Sequence, residues 1–196
     1  TRYKLNDNKL KVAIIDRNLR DTTGHSYNMS KAIKEAFESH GFTVKVYGQI
    51  GAEKSIVDYA IFSNKYNEIP KNTIFQAQSA YKTTFKLIKE ISDKYDLIFF
   101  QTADLYLLYG FLRAISDLQG KNRENKNAVG IFYFHYLSIG ITSRHFLEKV
   151  IKTLKSDNKV NNLIISATSS DLLNQLNKVG IPKKFISDFP LPHIGL

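Results

Sequence analysis

The 196-residue sequence contains no cysteine. This absence excludes disulfide scaffolds, zinc–thiolate sites and cysteine nucleophiles. No apolar run approaches the roughly 18 residues that a membrane-spanning helix needs. The first ten residues are polar and include lysine, which is not the pattern of a signal peptide. Because the chain starts with threonine, we expect it to be a fragment of a longer protein.

Several motifs that carry well-known chemistry are also missing. There is no GxGxxG or GxxxxGK[ST] loop, which disfavours dinucleotide and P-loop nucleotide binding. No GxSxG turn occurs, which disfavours a serine hydrolase, and no carboxylate pair suggests a hydrolytic glycosidase. The histidines lack metal-ligand spacing, so we expect neither a metal nor a cofactor; they are His25, His40, His135, His145 and His193.

What the sequence does have is positive charge. Lysine and arginine total 28 and aspartate and glutamate total 18, which gives a formal net charge of +10. This balance favours anionic partners such as nucleic acid, anionic lipid or phosphorylated ligands. The alternative is a lysine-rich solvated surface with no partner. Nucleic acid is disfavoured, since the aromatic residues lie in apolar segments and form no exposed stacking stripe.

Short apolar runs alternate with segments of helical periodicity. Strands are predicted at Lys11–Asp16, Thr43–Tyr47, Leu97–Gln101, Val129–Leu137, Leu163–Thr168 and Lys184–Phe189. Helices are predicted from Ser26 as N-cap to Gly41, over Gln76–Tyr95, Leu105–Leu118 and Thr142–Lys155, around Leu172–Leu176 and, less clearly, over Glu53–Phe62. Exposed loops are predicted at Ser63–Asn72 and Gly120–Asn127.

This alternation predicts a doubly wound, Rossmann-like α/β domain with a mostly parallel sheet and helices on both faces. We expect residues 1–10 to be a polar lead-in, residues 11–190 to form the single domain, and residues 191–196 to begin a linker or tail. Folds of this type bind ligands at the carboxyl ends of the strands, so the residues that follow each strand are the candidate site.

Polar residues follow three of the predicted strands. Asn18, Gly24 and His25 follow the first, and Gly24 next to a helix start would let an anion approach backbone N–H groups. Gln101 and Asp104 follow the strand that begins at Leu97. The last group comes after the Val129 strand and consists of His135, a candidate base or hydroxyl-binding group, and Arg144, a candidate anion contact.

Each of these residues also has a purely structural interpretation. Gly24 would simply permit a turn, and Asp104 would only cap the following helix. His135 would be a core histidine that is satisfied by a backbone carbonyl. Both interpretations stay open at this point.

The order of segments resembles the N-terminal half of two-domain GT-B glycosyltransferases, and is most similar to the large retaining group that uses nucleotide-sugar donors. The resemblance rests on KVAIID, TGHSYN, SKAIKEAFESHGF and TVKVY at the start, on FYFHYL, and on LIISATSSDLLNQLNKVGIPKKFISDFPLP near the end. In that group Gly24 and His25 match the first loop, and His135 matches a strand-end histidine near the acceptor site. The usual paired glycines are reduced to Gly24, and the preceding DRNLRDTT is longer and more charged than is typical.

The resemblance implies an acceptor-side domain that helps to transfer a sugar from a nucleotide-sugar, with the donor bound mainly by a C-terminal domain outside this sequence. His135 would then act in catalysis, Gly24 and His25 would face the cleft, and Asn18, Gln101, Asp104 and Arg144 would line the acceptor crevice. The acceptor would be a sugar or a lipid-linked molecule.

We expect a cytoplasmic protein with peripheral contact to an anionic membrane through its lysine-rich helices. The alternative function is a non-catalytic α/β domain that binds a ligand or partner. A flavodoxin- or receiver-like domain is less consistent with the sequence, since the first strand lacks an acidic pair.

Overall fold

The computed structural model describes residues 9–63, 73–120, 128–156 and 160–188. Within these ranges six strands form one parallel sheet in the order β3-β2-β1-β4-β5-β6. The strands are β1 (Lys11–Ile15), β2 (Thr43–Gln49), β3 (Tyr59–Phe62), β4 (Leu97–Phe100), β5 (Val129–Phe134) and β6 (Leu163–Ala167). The predicted Rossmann-like α/β fold is confirmed. The direction of the strand order reverses between β1 and β4. Strand β1 pairs with both β2 and β4, and its residue Val12 lies opposite Val44 of β2 and Leu97 of β4.

Five α-helices connect or follow the strands in the described part of the chain. They are α1 (Gly24–Ser39), α2 (Thr73–Ile91), α3 (Leu105–Gln119), α4 (Ile141–Ser156) and α5 (Ser170–Lys178). Residues Val12–Ile15 of β1 are completely buried, as expected for a central strand that is covered on both faces. One face packs on α1 through Ile33 and Phe37, and the other packs on α2, α3 and α4. Helices therefore lie on both faces, as predicted.

The start of α1 differs from the prediction. The helix begins at Gly24 with Thr23 as N-cap, rather than after Ser26. The carboxylate of Asp21 accepts hydrogen bonds from the backbone N–H and the hydroxyl of Thr23, which forms a tight turn before the helix. Gly24 has φ of +79°, a conformation that favours glycine, and this lets the helix start immediately after the turn.

The helix proposed for Glu53–Phe62 is wrong. A turn leads instead into β3, which pairs in parallel with β2. The Asp58 carboxylate accepts the Val46 N–H at 2.9 Å and the Lys45 ammonium at 2.7 Å, so it holds the chain against β2. The rings of Tyr59 and Tyr47 then stack with their centroids 4.7 Å apart. These long-range contacts determine the local structure, and the sequence pattern does not reveal them.

The last predicted strand, Lys184–Phe189, is also wrong over its first part. Lys183–Phe185 form a 3₁₀ turn, and Ile186 then makes a single parallel bridge to Ile165 of β6. Several predictions fall wholly or partly outside the described residues: most of the lead-in 1–10, the loops 63–72 and 120–127, Phe189, and the linker 191–196.

Candidate functional site

A buried carboxylate lies at the point where the strand order reverses. Asp16 directly follows β1 and is fully buried. It accepts hydrogen bonds from the Asn18 N–H at 2.9 Å, the Ser30 hydroxyl at 3.1 Å and the Thr102 hydroxyl at 3.1 Å. Burial raises the pKa of the carboxyl, although these hydrogen bonds favour the charged form. Asp16 thereby joins the β1–α1 loop, helix α1 and the β4–α3 loop.

Two histidines from different loops meet above this carboxyl end of the sheet. His25 is the second residue of α1 and is exposed, whereas His135 follows β5 and is half-buried. Nε2 of His25 lies 3.4 Å from Nδ1 of His135, and the rings are nearly perpendicular. Nε2 of His135 lies 2.8 Å from the backbone oxygen of Gln101. Burial lowers the pKa of His135, and the nearby His25 adds to that effect, so the neutral ring is favoured.

A cleft with charged residues in its wall lies between the start of α3 and the start of α4. Asp104 caps α3 by accepting the N–H groups of Tyr106 and Leu107 at 2.8 and 2.9 Å. Its other carboxylate oxygen lies 3.0 Å from the Arg17 guanidinium. The Nε–H of Arg17 is buried and has no hydrogen-bond partner among the described residues. The cleft has a volume of about 220 Å³, and Tyr136 and Ser143 line its opposite side.

The structure thus brings several of the predicted site residues to one edge, in different ways. His25, His135 and the backbone of Gln101 form one hydrogen-bonded chain, while the Gln101 side chain is buried, with Oε1 2.6 Å from the Thr102 hydroxyl oxygen. Asp104 caps α3, as its structural interpretation predicted, and it also lines a cleft.

The remaining predicted residues lie at the periphery of this edge. Gly24 is exposed at the start of α1 and forms the turn described above. Asn18 is exposed and lines a small neighbouring pocket of about 90 Å³ with Arg17. Arg144 is exposed on α4, and its side chain makes no hydrogen bond or ion pair with a residue that the structure describes.

Three residues of the site were not among those predicted from the sequence. Asp16 directly follows β1, while Arg17 and Thr102 are the second residues after β1 and β4, and this position alone was the available signal. An acidic residue that immediately ends an apolar strand, as in KVAIID, is the pattern that would have identified Asp16.

A second, less polar groove lies away from this edge, between α2 and α4. It measures about 460 Å³, and its walls include Tyr81, Tyr109 and Phe146, with Lys82 and Lys149 beside them. The Lys149 ammonium lies 5.6 Å from the Tyr109 ring centroid and 5.8 Å from that of Phe146. Exposed Ile74 and Ile141 extend the apolar surface.

The described ranges lack two kinds of feature. No helix there is both long enough and apolar enough to cross a bilayer. No three histidine or acidic side chains of those ranges are grouped as ligands of a metal ion.

Comparison with known proteins shows a likeness in structure alone. No protein-family model and no curated protein sequence matches the chain. The apo form of the lipopolysaccharide outer core galactosyltransferase WaaB matches with a TM-score of 0.51 and 16% sequence identity, over 93% of this chain and 46% of WaaB. A fungal β-1,4-galactanase matches over 88% of this chain and 59% of its own, at 11% identity and a TM-score of 0.34, which is too low to carry an argument.

The WaaB match shows that this chain has a glycosyltransferase-like fold. At 16% identity it shows the fold and not the activity. The chain spans about half the length of that structure, since the matched part is 46% of it.

Proposed function

We propose that this chain is the N-terminal, acceptor-side domain of a two-domain GT-B glycosyltransferase, and that it helps to transfer a sugar from a nucleotide-sugar to a hydroxyl acceptor. The observation that carries the proposal is the histidine chain from His25 through His135 to the Gln101 carbonyl, at the carboxyl edge of the sheet. Ligands of doubly wound folds bind at this edge, next to the point where the strand order reverses. The glycosyltransferase-like fold supports the same proposal.

Glycosyl transfer has two requirements, and the residues at this edge are suited to the first of them. The acceptor oxygen must be held next to the anomeric carbon of the donor, and the departing diphosphate must be stabilised. The imidazole pair and the Arg17–Asp104 pair offer hydrogen bonds to sugar hydroxyls from two sides of the edge. Most of the donor contacts would come from a second domain, and the resemblance to the retaining group predicts retention at the anomeric carbon.

The proposal is tested by assaying release of nucleoside diphosphate from a panel of nucleotide-sugars. The natural polypeptide that contains this chain should turn over at least one donor, and the isolated 196-residue chain should turn over none. A natural polypeptide that has no second α/β domain and no turnover would contradict the proposal and would favour a non-catalytic binding domain. Robust turnover by the isolated chain would overturn its assignment as one half of the enzyme.

We further propose that an anionic bilayer is a partner of the surface formed by α2 and α4. Lys82 and Lys149 flank the apolar groove, and Ile141 is 95% exposed beside it. A lysine close to an anionic bilayer contributes about 1 kcal/mol, so several together would give a weak, salt-sensitive attachment. The lysines predicted to share these faces are Lys82, Lys86, Lys89, Lys149, Lys152 and Lys155, of which Lys89 is already paired with Asp117.

Co-sedimentation with vesicles tests this partner. The chain should pellet with anionic vesicles at low salt, and less at high salt or with neutral vesicles. The double variant Lys82→Ala/Lys149→Ala should lose most of this binding. The matched control Lys31→Ala/Lys34→Ala, on the exposed side of α1, should bind more strongly than that variant. Equal recovery in the supernatant under every condition would show that the charge has no membrane role.

A further inference from the structure

The hydrogen bonds of His135 occupy both of its ring nitrogens. The backbone oxygen of Gln101 can only accept, so the Nε2 that lies 2.8 Å from it must carry a proton. In the neutral ring Nδ1 is then an acceptor, and the group that approaches it is Nε2 of His25 at 3.4 Å. His135 therefore has no nitrogen left for a substrate while this chain of hydrogen bonds is intact.

The same bonds determine which atom of His25 is available. Because Nδ1 of His135 accepts, Nε2 of His25 must donate and therefore carries a proton. Nδ1 of a neutral His25 is then an acceptor, and no described residue forms a hydrogen bond with it. His25 is exposed at this end of the sheet, so its ring is accessible to a ligand that binds there.

Two structural elements fix the position of the His25 ring: its hydrogen-bond partner His135 and its own helix, α1. His135 follows the buried strand β5, and its ring packs edge-on against Tyr133 with the centroids 5.3 Å apart. Helix α1, which carries His25, is joined to the buried Asp16 through Ser30. Contacts of both His135 and helix α1 with the buried part of the structure therefore hold the His25 ring in position.

We infer that His25 is the residue that binds the acceptor hydroxyl, through a hydrogen bond from that hydroxyl to Nδ1, and that His135 is a positioning residue that does not touch the acceptor. The inference rests on the proposed function for the nature of the ligand. It reverses the roles that the family resemblance implies for the two histidines. The ligand class that it specifies is a hydroxyl that can donate a hydrogen bond.

Chemical modification tests the hydrogen bonds between the two histidines and does not require enzyme activity. Diethylpyrocarbonate reacts with unprotonated, accessible imidazole nitrogens, and peptide mass mapping locates the adducts. In the isolated chain His25 should react at a rate similar to that of the exposed His40, and His135 should react much more slowly. In His25→Ala, Nδ1 of His135 becomes free, and the rate at His135 should increase by about tenfold or more.

Two outcomes of this experiment would overturn the inference. Reaction of His135 at the rate of His40 in the unmodified chain would mean that its nitrogens are not occupied. An unreactive His135 in His25→Ala would mean that burial alone protects it, so His25 would not be its partner.

Kinetics of the natural polypeptide test the assignment of the two roles. His25→Asn keeps an oxygen acceptor near the place of Nδ1, whereas His25→Gln keeps a group near Nε2 and loses that acceptor. The acceptor KM should therefore increase by about five- to tenfold in His25→Gln, as expected for one lost hydrogen bond, and less in His25→Asn. His135→Ala removes the acceptor for Nε2 of His25, so the His25 ring is no longer held in place, and the variant should lower kcat with little change in the acceptor KM.

The opposite order would contradict the inference: a larger increase of the acceptor KM in the His135 variant than in either His25 variant. His40→Gln, at the far end of α1, serves as the control and should match the unmodified enzyme. Absence of turnover in the unmodified polypeptide would overturn the proposed function and, with it, the acceptor role of His25. The modification experiment would still decide whether the two histidines are hydrogen-bonded.

Discussion

At the scale of single residues, the half-buried His135 gives the folded protein a defined dependence on pH. Its pKa is lower in the folded chain than in the unfolded chain, chiefly because burial disfavours the charged ring. The unfolded chain therefore binds more protons at mildly acidic pH. The stability that the neutral ring contributes is present above about pH 6.5, the ordinary pKa of histidine, and is lost as the pH falls through the lower folded value.

We predict that His135→Asn weakens this dependence. Urea unfolding between about pH 7.5 and pH 5 should show a larger loss of unfolding free energy in the unmodified chain than in the variant. The buried Asp16 has the opposite effect, because its raised pKa favours the folded state at lower pH. Asp16 is present in both proteins, so its contribution to the unfolding free energy cancels in the comparison. His40→Asn should keep the slope of the unmodified chain. Equal slopes in all three proteins would show that His135 does not titrate differently on folding.

At the scale of elements, the contact between α2 and α3 depends on one small residue. A Cβ built at Gly110 would lie 2.8 Å from the carbonyl oxygen of Tyr81 and 2.9 Å from Cβ of Thr84. Real Cβ atoms essentially never come so close, and one of the two neighbours is backbone that cannot rotate away. The lack of a side chain at Gly110 therefore allows the two helices to approach, which places α2 over the sheet.

We predict that Gly110→Ala destabilises the fold by about 1 kcal/mol. Overpacking costs about 1–3 kcal/mol, and better helix propensity offsets about 1 kcal/mol of that. The control is Gly120→Ala at the end of the same helix, where the nearest atom would be 3.5 Å away. The control should be as stable as the unmodified chain or slightly more stable in urea unfolding. Equal midpoints for Gly110→Ala and the control would contradict this account of the helix contact.

Elements with strong local patterns were predictable, and those fixed by distant partners were not. The apolar runs of β1, β4, β5 and β6 and the periodicity of the helices carry their own signal, so these elements lie close to their predicted positions. Strand β3 has no such signal, because it depends on Asp58 reaching back to β2. The bridge at Ile186 likewise depends on a single contact with β6.

The candidate site was likewise predictable from the sequence only in part. Strand ends were identifiable from the sequence, so His25, Gln101 and His135 could be named as candidates for one edge. Their hydrogen-bond geometry was not predictable, because it depends on which ring nitrogen faces which loop. Asp16 was left out of the predicted site, since its role depends on Ser30 and Thr102, which are distant in sequence.

At the scale of the whole molecule, the candidate ligand site and the lysine-flanked apolar groove lie in different places. The histidine chain and the Arg17–Asp104 pair lie at the carboxyl edge of the sheet, while the lysine-flanked apolar groove lies along α2 and α4. In the proposed function the edge would bind the acceptor and the helices would face the membrane. The arrangement would let a membrane-bound acceptor be reached without burying the edge itself.

Hydrogen–deuterium exchange of the natural polypeptide tests the central claim most directly, namely that the carboxyl edge is the ligand site of a glycosyltransferase. With the hydroxyl acceptor added together with the nucleotide-sugar that the turnover assay identifies, exchange should slow in residues 16–25, 101–104 and 135–144, the three segments that meet at this edge. Residues 92–96, at the opposite edge before β4, should be unchanged and serve as the internal control. Protection at residues 92–96 with no change in the three segments would contradict the claim.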